Sequence, residues 1–172
     1  VALMLISPEL VLIFGSPKYR EAVYVIPPVA ASVFFIFIYN ILSMPQFYYE
    51  KTQFLMAASM AAAGANVVLN FIFIRLFGYI AAGYTTLACY MLYSVGHYIV
   101  SKRILVNEGI QENLMNPGFL LACSVFLIGA SIICNLIFPY RILRYAILLA
   151  SAGLVFWKKE LLLKTMADIR KK

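Results

Sequence analysis

Four stretches of the chain contain no Asp, Glu, Lys or Arg, and each is long enough to cross a lipid bilayer as a helix. They comprise residues 22–49, 52–74, 76–101 and 113–140. The hydrocarbon core of a bilayer is about 30 Å thick, so a spanning helix needs about 20 residues. Because lipid offers the backbone no hydrogen-bond partners, an apolar stretch of this length crosses as a helix. These stretches therefore predict membrane-spanning helices.

The composition of the 172-residue chain agrees with membrane immersion. Hydrophobic residues make up 64% of the sequence and charged residues 12%, whereas soluble domains contain about 45–50% and about 25%. A chain this short has too little polar material to cover a water-exposed surface. The three cysteines lie in apolar runs without zinc or redox spacing and are interpreted as small core residues. Soluble, disordered and disulfide-rich classes are excluded.

Two further apolar segments extend the predicted bundle. Residues 142–157 form a shorter fifth span if Arg141 and Arg144 extend toward one membrane surface while Trp157 and Lys158 mark the other. Residues 1–14 are interpreted as the end of a helix whose beginning is missing. Short connections that contain Gly or Pro, such as residues 45–51 with Pro45, separate the spans. The sequence predicts an all-α polytopic transmembrane helix bundle of about five full spans plus the end of a sixth.

The basic residues predict an orientation for this bundle. Most of the 14 Lys and Arg residues fall on the side of Lys51, Lys102, Arg103 and the tail, residues 158–172. The positive-inside rule places that side in the cytoplasm. Residues 1–157 then form one transmembrane lobe, truncated at its N-terminus, and residues 158–172 a basic cytoplasmic tail. Because the basic residues bracket spans, their expected contacts are membrane lipids and not nucleic acid.

Polar side chains form a stripe on the second predicted span. Thr52, Ser59 and Asn66 recur at intervals of seven, and Asn70 follows Asn66 by four. Seven residues turn a helix through about 700°, so these side chains share one face. Polar groups are costly in lipid, so that face contacts protein or water. Two interpretations stay open: hydrogen bonds across a close helix contact permitted by the Ala and Gly residues of 57–65, or the lining of a polar cavity.

Two further stripes lie on neighbouring spans. One consists of Thr86, Tyr90, Tyr93 and His97, and a weaker one of Ser32, Tyr39 and Ser43 with Asn40 beside them. His97 is the only histidine and precedes Lys102 by five residues, so it is expected to be hydrated near the cytoplasmic membrane surface. No nucleophile-elbow, zinc-protease or phosphate-loop motif is present in the sequence. The sequence therefore predicts no enzyme, catalytic residue, metal site or cofactor.

Several of these residues also resemble a known family. The run Asn66-Val-Val-Leu-Asn70-Phe-Ile-Phe-Ile-Arg75-Leu-Phe-Gly78-Tyr-Ile-Ala-Ala82-Gly-Tyr-Thr-Thr-Leu is similar to a stretch of bacterial polysaccharide exporters. Two more pieces fit in order. They are Pro8-Glu9-Leu-Val-Leu-Ile-Phe-Gly15, followed by Tyr19-Arg20-Glu21-Ala22, and Tyr48-Tyr49-Glu50-Lys51-Thr52. These exporters are oligosaccharide flippases of the multidrug, oligosaccharidyl-lipid and polysaccharide exporter superfamily. Arg75 departs from the family pattern, which often has a small residue or Pro near this loop.

The resemblance implies a fold and an activity. Members consist of two six-helix lobes around a central cavity that opens alternately to each side. This chain resembles most of the second lobe, so its implied partner is the N-terminal lobe of the same transporter. The implied substrate is a polyprenyl-diphosphate-linked oligosaccharide, moved from the cytoplasmic to the outer leaflet of the bacterial plasma membrane for cell-surface polysaccharide synthesis. The main cationic cavity residues of the family often lie in the first lobe.

Physical chemistry assigns candidate residues for such a substrate. A diphosphate-sugar headgroup cannot cross hydrocarbon without polar partners, and amides, hydroxyls and aromatic faces suit sugars. The candidate cavity residues are Tyr39, Asn40, Ser59, Asn66, Asn70, Tyr90, Tyr93 and His97. Lys51 and Arg75 are the candidate diphosphate contacts. Three alternatives remain: a multidrug or metabolite extruder, a lipid-linked peptidoglycan precursor flippase of the same superfamily, and a non-transporting membrane scaffold.

Overall fold

The computed structural model describes residues 2–110 and 115–157, with residues 17–19, 151, 152 and 154–157 described without side chains. The described residues are 88% helical and form no strand. Their α-helices are α1 (Ala2–Phe14), α2 (Ile26–Tyr48), α3 (Gln53–Phe77), α4 (Ala81–Asn107), α5 (Pro117–Ile137) and α6 (Arg141–Trp157), and a 3-10 helix (Pro17–Val25) joins α1 to α2. The basic tail predicted for residues 158–172 lies outside the described residues.

Three described segments are long and apolar enough to cross a membrane: Arg20–Tyr48, α3 and α5. α4 has 27 residues but carries Thr, Tyr, Ser and His side chains along its length, which lowers its hydropathy. α6 has 17 residues, which is short for a span. The all-helical fold is therefore confirmed for the described residues, whereas the bundle of five spans stays a prediction.

α2 and α4 lie side by side and parallel at the centre of the molecule. Their contacts advance in step, from Gly83 against Pro28 to Ser94 against Phe35. A Cβ atom on Gly83 would lie 2.8 Å from the Cγ atom of Pro28 and 3.0 Å from the carbonyl oxygen of Val25. Glycine thus permits a close approach of the two helices here. The buried apolar cluster around this contact consists of Met4, Leu5, Val23, Ala31, Phe35, Leu87, Cys134 and Phe138.

The other long helices surround this central pair. α3 runs antiparallel to α4 and packs against it, and no residue of α3 is buried. α5 runs antiparallel to α4 and packs on α2, with Asn135 donating to the hydroxyl of Tyr84 at 2.7 Å. The alternating directions place Lys51, Lys102 and Arg103 at one end of the molecule and Arg20, Arg75 and Arg141 at the other. Which end faces the cytoplasm stays a prediction.

The C-terminal end of α2 differs from the predicted loop over residues 45–51. α2 continues through Pro45 to Tyr48, and both Pro45 and Gln46 are buried. Proline removes one backbone N–H from a helix. The side chain of Gln46 gains hydrogen bonds to α4 in return. Tertiary contacts therefore extend the helix past a residue that usually marks its end.

The prediction that Arg144 extends to a membrane surface is wrong. Its side chain is 2% exposed and forms an ion pair with Glu9 of α1. The same carboxylate oxygen of Glu9 accepts a hydrogen bond from the hydroxyl of Tyr145 at 2.6 Å. A guanidinium that is buried away from water needs an opposite charge beside it. Glu9 of α1 supplies that charge. The pair joins the first and last described helices.

Candidate functional site

A groove of about 450 Å³ opens between α3 and α4, with one tyrosine of α2 on its wall. We call it the polar groove. It is lined by Tyr39, Ser59, Ala62, Ala63, Asn66, Val67, Thr86, Cys89, Tyr90 and Tyr93. Its volume falls within the range of about 300–1,000 Å³ that is typical of small-molecule sites. Five of the eight predicted cavity residues therefore lie on one continuous wall: Tyr39, Ser59, Asn66, Tyr90 and Tyr93.

Two of the small residues of α3 form part of the groove wall. Ala62 and Ala63 lie on the groove wall. A Cβ atom on Gly64 would meet nothing within 4 Å. Gly64 is exposed on the face of α3 that points away from α4, so it takes no part in the groove or in the expected close helix contact.

Amide side chains link α3 to α4 beside the groove. Asn66 Nδ2 donates to Thr86 Oγ1 at 3.4 Å, and Asn70 Nδ2 donates to Asn66 Oδ1 at 2.9 Å. The hydroxyl of Thr85 donates to Asn70 Oδ1. Asn70 is thus held between two partners and does not line the groove, whereas Asn66 does. Both interpretations of the polar stripe on α3 therefore have support. Asn66 and Asn70 form hydrogen bonds to α4, and Asn66 also faces the open groove.

Tyrosine and serine hydroxyls form the opposite part of the wall. The hydroxyl oxygens of Ser59 and Tyr93 lie 2.7 Å apart, so one donates to the other. The accepting hydroxyl keeps its own hydrogen available for a further partner. The rings of Tyr39 and Tyr93 pack at a tilt, with centroids 4.7 Å apart. The wall therefore offers hydrogen-bonding groups next to aromatic surface.

His97 is buried between α2 and α4, and the expectation of a hydrated histidine is wrong. Its exposed fraction is 0%. Gln46 Nε2 lies 3.0 Å from His97 Nδ1 and donates to Ser101 Oγ at 2.8 Å. With the amide nitrogen of Gln46 facing the ring, Nδ1 of His97 accepts the hydrogen bond. The ring of Tyr93 packs edge-on against His97, with centroids 4.4 Å apart. His97 therefore lies behind a wall residue of the groove.

Three other candidates lie away from the polar groove. Asn40 is exposed, and its amide donates to the carbonyl of Ile36 in its own helix at 2.8 Å. Lys51 is exposed in the connection before α3. Arg75 lies near the other end of α3, with its guanidinium carbon 3.9 Å from the centre of the Phe71 ring. The helix between Lys51 and Arg75 is about 36 Å long, so these two residues cannot contact the same diphosphate at once.

Two polar arrangements were not anticipated from the sequence. Gln46 is the single glutamine in the apolar stretch 22–49, yet it provides the main hydrogen bonds between α2 and α4. Glu9 and Arg144 each interrupt an apolar segment with a charge, and the two charges are opposite. The available signal was an amide or a charged side chain within an apolar stretch, because such groups need a partner when they are removed from water.

Comparisons of the chain with protein-family models, with curated proteins and with solved structures found no match. The similarity to polysaccharide exporters therefore stays a prediction that depends on the residues quoted above. Among the described residues, no group of three or more His, Cys, Asp and Glu side chains could hold a metal ion.

Proposed function

We propose that this chain is part of a flippase that moves polyprenyl-diphosphate-linked oligosaccharide from the cytoplasmic to the outer leaflet of a bacterial plasma membrane. The observation that supports the proposal is the polar groove. Amides, hydroxyls and tyrosines line one opening of about 450 Å³, while many large apolar side chains are exposed elsewhere. In this proposal α4 and α6 cross the membrane together with α2, α3 and α5, and the C-terminus is cytoplasmic.

The chemistry of the groove fits a sugar headgroup. A hydroxyl moved into an apolar environment without a partner costs roughly 2–7 kcal/mol, so an oligosaccharide needs many partners along its path. Asn66, Ser59, Thr86 and Tyr93 supply donors and acceptors along about seven residues of each helix. Aromatic rings add apolar contact area for sugar rings. The lipid tail of the substrate stays in the bilayer beside the groove.

Alternating access requires one wall of the groove to move, and α3 is the best suited helix. It packs mainly on α4 and has no buried residue. Segments with few buried apolar contacts have low local stability. Asn66 and Thr86 are joined by a long hydrogen bond of 3.4 Å. In our proposal this bond opens when α3 moves, and the N-terminal lobe of the same transporter closes the other side of the cavity.

A second candidate function is cation-coupled extrusion of a drug or metabolite. Glu9 favours it, because this carboxylate lies in an apolar helix and its Oε2 atom is buried without a hydrogen-bond partner. The other oxygen is paired with Arg144, whose charge neutralises the carboxylate. An ion pair of this kind is sufficient to explain Glu9 as a structural residue, so the oligosaccharide proposal remains first.

Thiol accessibility tests whether the groove holds water in the membrane. Cys89, Cys123 and Cys134 are first replaced by alanine, and single cysteines are then introduced by Asn66→Cys and, as a control on the outer face of α3, Val68→Cys. A membrane-impermeant thiol reagent should modify the cysteine at position 66 and spare the lipid-facing one. If position 66 is inert from both sides while the control behaves as expected, the cavity interpretation fails.

Transport itself is measured with the full-length protein in proteoliposomes. The substrate is polyprenyl-diphosphate-linked oligosaccharide, and its exposure on the opposite leaflet is followed with an impermeant lectin. Asn66→Leu should lower the rate about tenfold, because it removes one or two hydrogen bonds to the headgroup, while Val68→Leu should leave it unchanged. Movement of a drug or metabolite but not of the glycolipid would favour the extruder instead.

A further inference from the structure

A second, apolar groove lies on a different face of α4, between α2, α4 and α5. Its volume is about 420 Å³, and we call it the apolar crevice. Its wall includes Phe35 and Leu42 of α2, Tyr98 of α4, and the α5 face from Pro117 to Ile128. Ser94 and Ser124 also reach this wall, but each hydroxyl donates to a backbone carbonyl. The crevice therefore offers little polar chemistry and suits a hydrocarbon chain.

The length of the crevice corresponds to one leaflet of a bilayer. Along α5 it extends from Pro117, the first residue of the helix, to Ile128. Eleven helical residues rise about 16 Å, and half of a bilayer core is about 15 Å thick. The crevice begins at the end of the bundle where Lys51, Lys102 and Arg103 lie. An acyl chain of the leaflet at that end thus fits its length and position.

A basic surface continues the crevice at this end. Tyr98 belongs to the crevice wall and also to a neighbouring hollow of about 440 Å³ that is lined by Lys102, Arg103 and Asn107. Both cationic side chains are exposed. Glu108, the next residue along the chain, lines neither hollow. Phosphate headgroups of anionic lipids are attracted to paired basic residues at a membrane surface.

We propose that the apolar crevice and the adjoining basic hollow form one binding site for an anionic phospholipid of the bilayer. An acyl chain occupies the crevice, and Lys102 and Arg103 bind the phosphate. The site is separate from the polar groove, because the two use different faces of α4. The inference rests on the membrane placement within the proposed function and not on flippase activity.

The test counts the lipids that stay bound to the full-length protein in mild detergent, by native mass spectrometry. The probes are phosphatidylglycerol and phosphatidylcholine with the same acyl chains. The wild type should retain phosphatidylglycerol at least fivefold better than phosphatidylcholine. Lys102→Gln combined with Arg103→Gln should lower this retention on the order of tenfold, since each cation near an anionic headgroup contributes severalfold. The charge-matched control is Arg20→Gln with Arg141→Gln at the opposite end, and it should retain the lipid.

The apolar part of the site is tested by filling it. Ser124→Phe places a ring in the crevice and should reduce retention of both lipids, whereas Ala122→Phe, on an exposed position of the same helix, should not. Circular dichroism establishes that each variant keeps its helix content. If Ser124→Phe does not fold, the exposed Lys102 and Arg103 variants still decide the proposal.

Several results would overturn the assignment. The first is equal retention of the two lipids, and the second is retention that does not change when Lys102 and Arg103 are replaced. The third is displacement of phosphatidylglycerol by an equimolar polyprenyl phosphate. The fourth is a dimer of the chain that holds no lipid. Lipid retention and glycolipid transport are measured separately. A protein that retains the anionic lipid but moves no glycolipid contradicts only the proposed function, and the reverse result contradicts only the lipid site.

Discussion

α4 packs closely on two helices, α2 and α3, and it contacts them in different ways. Toward α2, its polar groups are buried and bonded: Ser94 donates to the carbonyl of Phe35 at 2.9 Å, and Ser101 donates to the carbonyl of Leu42. Toward α3, its polar groups line an open groove. The same helix therefore has a buried face toward α2 and a face whose hydrogen-bonding groups line open space. Under the proposed membrane placement, the second kind of face is the candidate for function.

The difference arises from the residues of α2 and α3 and not from α4 alone. α2 presents Gln46 and carbonyl groups at close range, with Gly83 of α4 permitting that approach. α3 presents Ala62 and Ala63, whose small side chains form part of the groove wall. Small residues thus have opposite effects at the two interfaces. At the α2 interface, Pro28 fills the space beside Gly83. At the α3 interface, the space beside Ala62 and Ala63 is the open groove.

The largest effect is expected at Gln46, which bonds α2 to α4. Gln46→Ala removes the hydrogen bonds to His97 and Ser101 and leaves a cavity. The free energy of unfolding should fall by about 2–4 kcal/mol, measured by denaturant titration of the full-length protein in detergent. The control is Asn40→Ala, because Asn40 is exposed and bonds only to its own helix; its effect should stay within about 0.5 kcal/mol. Equal effects would contradict the distinction between the interfaces.

Two glycines compare a buried position between α2 and α4 with an exposed position on the outer face of α3. Gly83→Ala places a methyl group 2.8 Å from Pro28 and should destabilise the protein by about 1–3 kcal/mol. Gly64→Ala meets nothing within 4 Å and should stabilise it by about 0.5–1 kcal/mol through helix propensity. Thermal unfolding in detergent measures both. The difference in packing between these two positions would be refuted if Gly64→Ala destabilised the protein as much as Gly83→Ala.

The sequence predicts much of this arrangement, because charges and spacing act locally. The uncharged stretches predict where α2, α3, α4 and α5 lie, and the seven-residue spacing predicts that Ser59 and Asn66 share a wall. It does not predict which helix covers a given face. Burial of His97 depends on Gln46 in another helix, and burial of Arg144 depends on Glu9, 135 residues away. Such pairings are set by tertiary packing, which helical periodicity does not contain.

A smaller effect is expected at Asn70, which belongs to the hydrogen bonds between α3 and α4. Asn70→Ala removes bonds to Asn66 and Thr85. Under the proposed membrane placement, each hydrogen bond between helices contributes about 0.6 kcal/mol on average, so the loss should be about 1 kcal/mol in a denaturant titration. Leu69→Ala on the same helix provides a comparison for lost apolar contact. A loss as large as that of Gln46→Ala would mean that α3 is held as firmly as α2.

The smallest stability effect, and the most informative comparison, is expected at Tyr93. Tyr93→Phe removes only the hydroxyl that bonds to Ser59 and keeps the ring against Tyr39 and His97. Because this hydroxyl faces an open groove, stability should change by less than about 0.5 kcal/mol, whereas the proposed function requires glycolipid transport to slow severalfold. Ser94→Ala gives the reverse pattern, since its hydroxyl is buried against α2: stability falls by about 1 kcal/mol and transport by the folded protein is unchanged. If both variants lose stability and neither loses transport, the face of α4 toward α3 is structural like the face toward α2.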